Sequence, residues 1–350
     1  MKLKNLLLTG SGAVLLASCG SQFFLLDTFV AEESTLNMVK ITNEASNSVL
    51  IAATNIPGIP ARSAMGYCLY NDEKDSYSWG TPSLLSLSPE GNKIAYLSTQ
   101  NGQSNIMVRS TGAQSTATQR TFRNVSSFTW GPDNQLYFTD NTGTNSYISS
   151  VDAIQGSMMK QLTNGNVNDF NPAITSDGKL LFFTRADYGG PAVWSLNRED
   201  GTLTSCARGF NPCVIPGNNN AFYCARNNAG GRSEIWFVDF VNGEETLIAS
   251  DINHGLTNPV LSPDGKWLLC VGNTEYKVVA KGKGGKDKKV KNLDIFVVKT
   301  DGTNLTQLTF HPSTDCSPAW SKDGRSIYFV SDRANKDRYP NIWKMNFNIY

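Results

Sequence analysis

One sequence motif recurs along the chain: Asn-Pro or Ser-Pro, four residues, an Asp-Gly pair and an apolar run. The clearest copies are NPAITSDGKLLFF from Asn171, NPVLSPDGKWLL from Asn258 and SPAWSKDGRSIYF from Ser317. A Gly-Asn version starts at Asn211, and looser copies start at Thr81 and Ser126. The turn position of the six copies falls at Glu90, Asp133, Asp177, Gly217, Asp264 and Asp323, with spacings of 43, 44, 40, 47 and 59 residues. Repeats of about 40 to 45 residues made of short strands are typical of propeller blades.

Each copy has the signals of a strand hairpin. Proline cannot donate to a sheet ladder and favours extended geometry in the residue before it, so Asn-Pro or Ser-Pro predicts a strand entry. Asp-Gly predicts a tight turn, because glycine accepts positive φ. A third strand follows, such as EIWFV at 234 or NIWKM at 341, and then a fourth. The sequence therefore predicts an all-β, six-bladed β-propeller with four-stranded antiparallel blades.

The sixth unit ends in NIWKMNFNIY and lacks a fourth strand, whereas NMVKITNEASN from Asn37 resembles the fourth-strand segment MKQLTNGNVND from Met159. We predict that residues 37–43 are a clasp strand that completes the last blade and removes an open sheet edge. The propeller would then span residues 37–350. The alternative is a free N-terminal linker.

The first residues have the pattern of an export signal. MKLKNLLLTGSGAVLLASCG has two lysines, an apolar stretch too short to span a bilayer and small residues before Cys19. Leu16 to Cys19 resembles the lipobox of bacterial lipoproteins, which implies a signal peptide over 1–18, a lipid on Cys19 and a tether over 19–36. Gly20, in place of an aspartate, implies the outer membrane. The alternative is an ordinary signal peptide with an incidental cysteine.

Composition limits the classes of partner. Hydrophobic residues make up 40% and charged residues 17% of the 350 residues. Loss of the predicted signal peptide, with Lys2 and Lys4, lowers the formal charge from +1 to −1. A near-neutral chain gives no support for nucleic-acid binding.

Six cysteines follow the lipobox, at 68, 206, 213, 224, 270 and 316. Their even number permits disulfides without selecting a pairing. A local bridge between Cys206 and Cys213 is one possibility. For Cys224 and Cys270 we favour core filling over a reactive role.

Two insertions interrupt the repeat. Residues 45–80 lengthen one connection between blades, and we interpret them as a cap over one propeller face, with an extra outer strand as the alternative. Residues 277–292 predict a hairpin, with seven lysines in the fifteen residues from Lys277 to Lys291. This candidate basic finger includes Lys281, Lys283, Lys286, Lys288 and Lys289. It suits an acidic lipid, glycan or protein, and the alternative is a solvated hairpin that protects a sheet edge.

Motifs for catalysis are missing from the sequence. His254 and His311 are its two histidines, too few for a three-histidine metal site, and G-x-S-x-G and P-loop patterns are absent. We therefore predict no catalytic residue, metal or cofactor. The candidate binding residues lie at strand entries, where the mouth of the central channel is expected: Asp169, Asn171, Asn211, Asn258, Asp315 and Ser317. The alternative role for these side chains is turn capping.

The repeat resembles the WD-like repeat of the TolB propeller over nearly all of residues 81–350, most closely at 259–266 and 318–325. That resemblance implies a periplasmic six-bladed propeller which, in TolB, binds a peptidoglycan-associated lipoprotein at its channel mouth. We carry over the propeller and not the Tol-Pal role. Oligogalacturonate lyases have related repeats, but their metal-binding histidines have no sufficient counterpart here.

The leading hypothesis is a lipid-anchored, non-catalytic module of the cell envelope that binds or scaffolds a protein at the channel mouth. We expect an outer-membrane lipoprotein facing the periplasm and monomeric in itself. The alternative is binding or processing of acidic polysaccharide through the propeller channel and the basic finger. The expected partners are thus an envelope protein or glycan, and the membrane through the lipid.

Overall fold

The fold consists of six four-stranded antiparallel sheets, as predicted. The computed structural model describes residues 16–18, 21–24, 36–42, 70–71, 76–77, 83–98, 103–112, 115–155, 158–187, 189–280, 288–311, 313–333 and 340–347. Within these residues no helix has the length and apolarity that crossing a bilayer requires.

Each sheet is one blade, and its strands follow in chain order except in the last. Blade 1 contains Leu85–Leu87, Lys93–Ser98, Asn105–Ser110 and Thr118–Gln119. Blade 2 contains Val125–Trp130, Gln135–Asp140, Tyr147–Asp152 and Lys160–Gln161. Blade 3 contains Asp169–Ile174, Leu180–Asp187, Gly190–Asn197 and Leu203–Arg208.

The remaining blades continue this order. Blade 4 contains Phe210–Ile215, Asn218–Asn227, Ser233–Asp239 and Glu244–Ala249. Blade 5 contains Leu256–Leu261, Trp267–Ala280, Lys288–Lys299 and Thr306–Gln307. Blade 6 contains Asp315–Trp320, Ser326–Ser331 and Asn341–Asn346, with Val39–Lys40 as its fourth strand.

The first strands of successive blades contact one another in a closed ring that includes blades 6 and 1, so they surround the axis. Because the strands alternate in direction, the molecule has two distinct faces. The hairpins between first and second strands, and between third and fourth strands, lie on what we call the turn face. The connections between blades, and the loops between second and third strands, lie on what we call the mouth face.

The predicted hairpins form as the sequence requires. Gly178, Gly265 and Gly324 follow the turn aspartates with φ of 73°, 73° and 70°, values that glycine adopts without strain. In blade 3 the Thr175 hydroxyl donates to Oδ1 of Asp177 at 2.6 Å, and that oxygen also accepts the Lys179 N–H at 3.0 Å. The aspartate thus closes the turn with side-chain hydrogen bonds.

The extended geometry predicted before the strand prolines is wrong. Asn171, Asn211, Asn258 and Ser317 have φ between 50° and 52°, in the left-handed region. Each belongs to a β-bulge in a first strand, where the register shifts by the extra residue. A bulge overrides the local preference of the residue before proline, and asparagine tolerates positive φ better than most residues.

Closure by an N-terminal strand is confirmed. Val39 and Lys40 pair antiparallel with Lys344 and Trp343. The paired strand is shorter than the predicted clasp over 37–43, but hydrogen bonds continue it: the Ile41 N–H donates to the Ile342 carbonyl at 2.8 Å. Joining both ends of the chain in one sheet gives the last blade its fourth strand.

Short strands outside the ring lie near the predicted insertions. Tyr70–Asn71 pairs with Ser76–Tyr77, and the rest of the predicted cap lies outside the described residues. Leu16–Ser18 pairs with Ser21–Phe24, which in turn pairs with the second strand of blade 5. Cys19 and most of the predicted signal peptide and tether lie outside the described residues.

The space between blades is filled with large apolar side chains. Phe182 of blade 3 and Phe222 of blade 4 are fully buried, and their ring centroids are 5.2 Å apart. Burial of one such side chain contributes roughly 1.5–3 kcal/mol. Repetition of this packing around the ring holds the blades face to face.

The described cysteines are free thiols, three of them buried and two partly exposed. Cys206 and Cys213 are not bridged, so the local disulfide considered above is absent. Cys224 and Cys270 are fully buried in apolar clusters, in agreement with core filling. Burial raises the pKa of the Cys224 thiol to about 12, which keeps it protonated and unreactive.

Candidate functional site

The predicted channel-mouth residues all lie near the starts of first strands, on the mouth face. Asp169 and Asp315 have no exposed surface, and Asn211, Asn258 and Ser317 are also buried. Asn171 is partly buried. These side chains therefore support the rim of the channel from within, and each has interactions inside the protein.

Asp169 forms a bidentate ion pair with the neighbouring strand of its own blade. The Arg185 guanidinium donates Nε to Oδ1 at 2.7 Å and Nη2 to Oδ2 at 3.0 Å. The same guanidinium stacks 4.7 Å from the ring centroid of Trp194 in the third strand. Burial raises the pKa of the Asp169 carboxyl, and the bonds from Arg185 oppose part of that rise.

Blade 6 repeats this arrangement with different spacing. Arg333 contacts Asp315 through Nη2, donates Nε to the Ser331 hydroxyl at 3.0 Å and lies 5.7 Å from the ring centroid of Trp343. In both blades an arginine joins the inner carboxylate to the tryptophan of the third strand. The pair fixes the start of the inner strand relative to the rest of the blade.

Blade 4 shows what happens when the inner carboxylate is missing. Gly209 stands where blade 3 has Asp169, and Arg226 pairs with Glu245 of the fourth strand instead, at 2.6 and 2.8 Å. Arg226 still stacks on the third-strand tryptophan, Trp236, at 5.2 Å. The arginine–tryptophan stack is thus the constant part, and the position of the carboxylate varies.

The bulge residues connect neighbouring blades. The Asn171 N–H donates to the Ser127 hydroxyl of blade 2 at 3.1 Å, and the Asn211 N–H donates to the Thr184 hydroxyl of blade 3 at 3.0 Å. The bulge turns these backbone groups out of their own ladder. Each therefore supplies a hydrogen bond to the preceding blade.

Blades 5, 6 and 1 meet at the same level. The Ser83 hydroxyl donates to Oδ1 of Asn258 at 3.4 Å, and the Leu84 N–H donates to the Ser317 hydroxyl at 3.2 Å. Asn258 and Ser317 are thus brought together through the first residues of blade 1. The predicted rim residues are joined in this part of the ring and are separate from one another in blades 3 and 4.

The connection into blade 6 brings histidine, serine and aspartate side chains together. Nδ1 of His311 lies 2.8 Å from the Ser313 hydroxyl and accepts the Ser313 N–H at 3.1 Å. The Ser313 hydroxyl also donates to Oδ1 of Asp315 at 3.3 Å. In a catalytic triad the carboxylate orients the histidine. Here Asp315 contacts the serine, whose own backbone N–H occupies Nδ1 of the histidine, so the contacts are those of a local turn.

His254 has a similar local role in the connection into blade 5. Its Nδ1 lies 3.1 Å from Asp251, and its ring packs 5.3 Å from Phe296. In the described part of the chain no group of three or more His, Cys, Asp or Glu side chains has the arrangement of a metal site.

Exposed apolar side chains on the mouth face were missed by sequence reasoning. Phe122, Val167 and Ile252 are 73%, 37% and 82% exposed. They lie in the connections that enter blades 2, 3 and 5, so they share one face with the predicted rim. A signal exists in hindsight: each is an isolated apolar residue among polar connection residues.

The basic finger also projects from the mouth face. The second and third strands of blade 5 have 14 and 12 residues, and their pairing runs from Trp267 with Lys299 to Val278 with Lys288. The backbone pairing places Lys277 opposite Lys289. The hairpin tip, residues 281–287, lies outside the described residues.

The connection from blade 6 to blade 1 also belongs to the mouth face. The chain leaves blade 6 at Thr42 and enters blade 1 at Ser83, both at the mouth. The two described residues that flank the insertion predicted as a cap therefore lie on the face that carries the exposed apolar residues. The exposed apolar residues and the base of the lysine-rich hairpin thus share one face.

Comparisons with known proteins agree with this architecture. A TolB homolog of Chlorobium chlorochromatii (strain CaD3) is 28% identical over 137 residues, which cover 39% of this chain and 31% of that protein. The chain thus matches about a third of the length of that relative. The crystal structure of TolB from Acinetobacter baumannii superposes with a TM-score of 0.54 at 16% identity, covering 73% of this chain and 64% of that one.

An oligogalacturonate lyase from Vibrio parahaemolyticus superposes with a TM-score of 0.52 at 12% identity, covering 90% of this chain and 97% of the lyase. At such identities the superpositions show a common fold. The family model described as the TolB beta propeller domain matches residues 80–280, more than half of the chain. The chain belongs to the TolB beta propeller domain family.

Proposed function

We propose that this protein is a lipid-anchored propeller of the bacterial cell envelope that binds an envelope protein at its mouth face, without catalysis. The observation that carries the proposal is the set of exposed apolar side chains on that face of a TolB-family propeller, Phe122, Val167 and Ile252. Protein-binding surfaces combine apolar contacts with a polar rim, and these three side chains offer apolar contacts on the face where the connections between blades lie.

The internal pairing of the rim residues assigns them a supporting role in this proposal. Asp169 and Asp315 hold arginines, and the bulges bond to neighbouring blades, so the rim is rigid before a partner arrives. A rigid rim lowers the entropy cost of binding. Asn171, which is partly exposed, remains a candidate for direct contact in the channel, whereas the buried side chains of Asn211, Asn258 and Ser317 support the rim.

Photo-crosslinking from the two faces tests the binding proposal. A photoreactive phenylalanine analogue is placed at Phe122 or Ile252, and at Val241 and Ile154 as controls on the turn face, which are 60% and 43% exposed. Irradiation of whole cells should give a discrete adduct containing an envelope protein from the mouth positions and none from the controls. Equal adducts from both faces, or none from the mouth, would contradict the proposal.

The lipid anchor rests on the sequence from Leu16 to Cys19. Transfer of a diacylglycerol to the Cys19 sulfur, followed by acylation of the new amine, gives several chains and stable anchoring. Replacement of Cys19 by serine should abolish metabolic labelling with an alkyne fatty acid and release soluble protein. A variant that remains in the membrane after signal cleavage would show that another feature holds it there.

A second candidate function is binding of acidic polysaccharide through the basic finger. The specific observation is the long second hairpin of blade 5, whose pairing carries the lysine-rich segment beyond the other strands of its blade. Clustered lysines attract polyanions in a salt-dependent way. The acidic chain would lie on the mouth face, between the finger and the channel.

Polygalacturonate binding separates the two candidates. The full mature protein should retain polygalacturonate at low salt if the second candidate is correct, and a variant with Lys281, Lys283, Lys286, Lys288 and Lys289 changed to glutamine should not. Crosslinking from Phe122 should be unaffected by the same changes. Loss of the protein adduct with unchanged polysaccharide binding would instead assign the finger to the protein partner.

A further inference from the structure

A cleft opens on the turn face between blades 5 and 6, on the opposite side of the molecule from the mouth. Its volume is about 380 Å³, within the size range of small-ligand pockets. Its lining includes Asp264, Asp323, Gly324, Trp267, Trp320 and Phe347. The cleft therefore combines two carboxylates with three aromatic rings.

The corresponding cleft between blades 2 and 3 is filled by an arginine of this chain. Nη1 of Arg198 donates to Oδ2 of Asp133 in blade 2 at 3.2 Å and to the carbonyl of Gly178 in blade 3 at 2.7 Å. Its guanidinium carbon lies 5.1 Å from the ring centroid of Tyr137. Arg198 thus shows how a cation binds at this position between two blades.

Backbone hydrogen bonds identify the equivalent residues in blades 5 and 6. The residue after the third strand donates its N–H to the turn of its own blade: Arg198 to the Lys179 carbonyl at 2.9 Å, Phe240 to Asn220 at 3.1 Å, Thr300 to Lys266 at 3.0 Å and Phe347 to Arg325 at 2.8 Å. Phe347 therefore stands in blade 6 where Arg198 stands in blade 3.

Phe347 gives this cleft no side-chain donor. The Thr300 hydroxyl still reaches the Gly265 carbonyl at 3.2 Å, the counterpart of the bond from Arg198 to Gly178. Phe347 has no polar side-chain atom to offer the Gly324 carbonyl. No side chain in the described part of the chain donates to that oxygen. Gly324 therefore presents an acceptor whose counterparts in blades 3 and 5 are occupied.

The aspartate of the preceding blade shows the same difference. In blade 3, Oδ2 of Asp177 accepts a hydrogen bond from Asn219 of the next blade at 2.7 Å. Asp264 uses Oδ1 to accept the Ser262 hydroxyl at 2.6 Å and the Lys266 N–H at 3.1 Å. Its Oδ2 has no hydrogen-bond donor among the described residues. These bonds, led by that of Ser262, lower the pKa of the Asp264 carboxyl, so it is ionised at neutral pH.

Aromatic rings complete the cleft. The ring of Phe347 lies 5.7 Å from that of Trp267 and 4.7 Å from that of Trp320, edge to face in both cases. Lys299 already places its ammonium 5.5 Å from the Trp267 ring centroid. Aromatic faces attract cations, and a guanidinium stacks on them more readily than an ammonium.

We propose that the cleft between blades 5 and 6 binds an arginine side chain of a protein partner. The guanidinium donates to Oδ2 of Asp264 and to the Gly324 carbonyl, as Arg198 does to their counterparts, and its plane packs against the aromatic rings. The partner supplies the cation that Arg198 supplies from within the chain at blades 2 and 3. This site lies on the turn face and is independent of binding at the mouth.

Titration calorimetry with two short peptides tests the proposal on the full mature protein. The probes are N-acetyl-Gly-Arg-Gly-amide and its citrulline counterpart, which has nearly the same shape and no charge. The arginine peptide should bind about tenfold or more tightly than the citrulline peptide, because only arginine brings a positive charge to the Asp264 carboxylate and to the aromatic faces. Asp264→Asn should weaken the arginine peptide by a similar factor.

Two matched variants control for indirect effects. Asp177→Asn changes the equivalent aspartate of an occupied turn and should leave binding unchanged. Phe347→Arg should abolish peptide binding by filling the cleft from within, whereas Phe347→Leu should retain the preference for arginine over citrulline.

Three outcomes would overturn the proposal: equal binding of the two peptides, unchanged affinity in Asp264→Asn, or no binding of the arginine peptide in the millimolar range. If Asp264→Asn unfolds, the comparison of the two peptides on the unaltered protein still decides. A mouth-face crosslink that persists when the cleft fails would show that the two sites are separate.

Discussion

Replacement of Thr42 by valine should destabilise the propeller through its closing strand. The Thr42 hydroxyl accepts the Ile342 N–H at 3.0 Å and donates to Oδ1 of Asn341 at 2.9 Å, and all three residues are buried. Valine preserves the shape of threonine but can make neither bond. The change therefore leaves the buried N–H of Ile342, in the third strand of blade 6, without its hydrogen-bond acceptor.

The expected loss follows from these two bonds. A buried donor left unsatisfied costs about 1–3 kcal/mol, and a lost hydroxyl hydrogen bond contributes about 1 kcal/mol more. The free energy of unfolding should fall by about 2–4 kcal/mol, a large part of the stability of a typical domain. Equilibrium urea denaturation, followed by tryptophan fluorescence, measures the change.

Two threonines of blade 5 provide matched controls. Thr309 accepts the Ile295 N–H at 2.9 Å and donates to Asp294 at 3.1 Å, so Thr309→Val should cost about as much as Thr42→Val. Thr306 is exposed, and Thr306→Val should change stability by less than about 0.5 kcal/mol. If Thr42→Val behaves like the exposed control while Thr309→Val destabilises, residues 39–42 do not close the ring.

Three further perturbations test the rim, the turns and the interior. Asp169→Asn should lower the free energy of unfolding by about 3–5 kcal/mol, because it leaves the Arg185 charge without its partner at a buried position. Glu245→Gln changes a half-exposed carboxylate and should lower it by less than about 1 kcal/mol. Urea denaturation measures both changes. Equal losses in the two variants would contradict this account of the rim. Asp177 has its pKa lowered to about 2, chiefly by the Thr175 hydroxyl, and its unfolded pKa is about 3.9. The stabilisation by Asp177 is therefore complete above pH about 4 and is lost as the pH falls to about 2. Asp177→Asn should reduce the dependence of the melting temperature on pH between about 4 and 2. A variant with the same pH dependence as the unaltered protein would contradict this prediction. Maleimide should not react with the three buried cysteines, whose thiol pKa values are raised, until the protein unfolds: Cys224, Cys270 and Cys316. The partly exposed Cys206 should react earlier. Mass spectrometry of the labelled peptides measures the order, and early labelling of a buried cysteine would contradict the prediction.

The blade count could be predicted because it depends on local signals. Each Asp-Gly turn needs only a few adjacent residues, and the glycine φ values near 70° agree with that reasoning. Closure could be predicted because residues 37–47 resemble the fourth-strand segment of blade 2. Both inferences use similarity between copies, which a repeat architecture converts directly into similar structure.

The bulges could not be predicted from the same signals. The rule for residues before proline describes an isolated dipeptide, and it fails at Asn171 because a hydrogen bond to the Ser127 hydroxyl of another blade is available. Those two residues are 44 positions apart in the chain. Only the closed ring brings them together.

The partners of the rim carboxylates could not be predicted from the sequence for a related reason. Asp169 and Arg185 are opposite each other only because a bulge sets the register of the hairpin between them. Blade 4 has the equivalent arginine without the aspartate, and Arg226 turns to Glu245 instead. The sequence therefore does not show which carboxylate an arginine pairs with. The tryptophan of the third strand is a neighbour of this arginine in blades 3, 4 and 6.

Departures from the repeat are where function is best sought, because positions shared by all blades are already explained by the fold. On the mouth face the departures are apolar connections and a long basic hairpin, and on the turn face Phe347 leaves a cleft where Arg198 fills the corresponding one between blades 2 and 3. The inner strands that separate the faces have about six residues, or roughly 20 Å. A ligand on one face therefore makes no contact with a ligand on the other, and any coupling between them would have to pass through the first strands of blades 5 and 6. Asn258 and Ser317 lie in those strands, bonded to the start of blade 1, so they are the residues through which such coupling would first be detected.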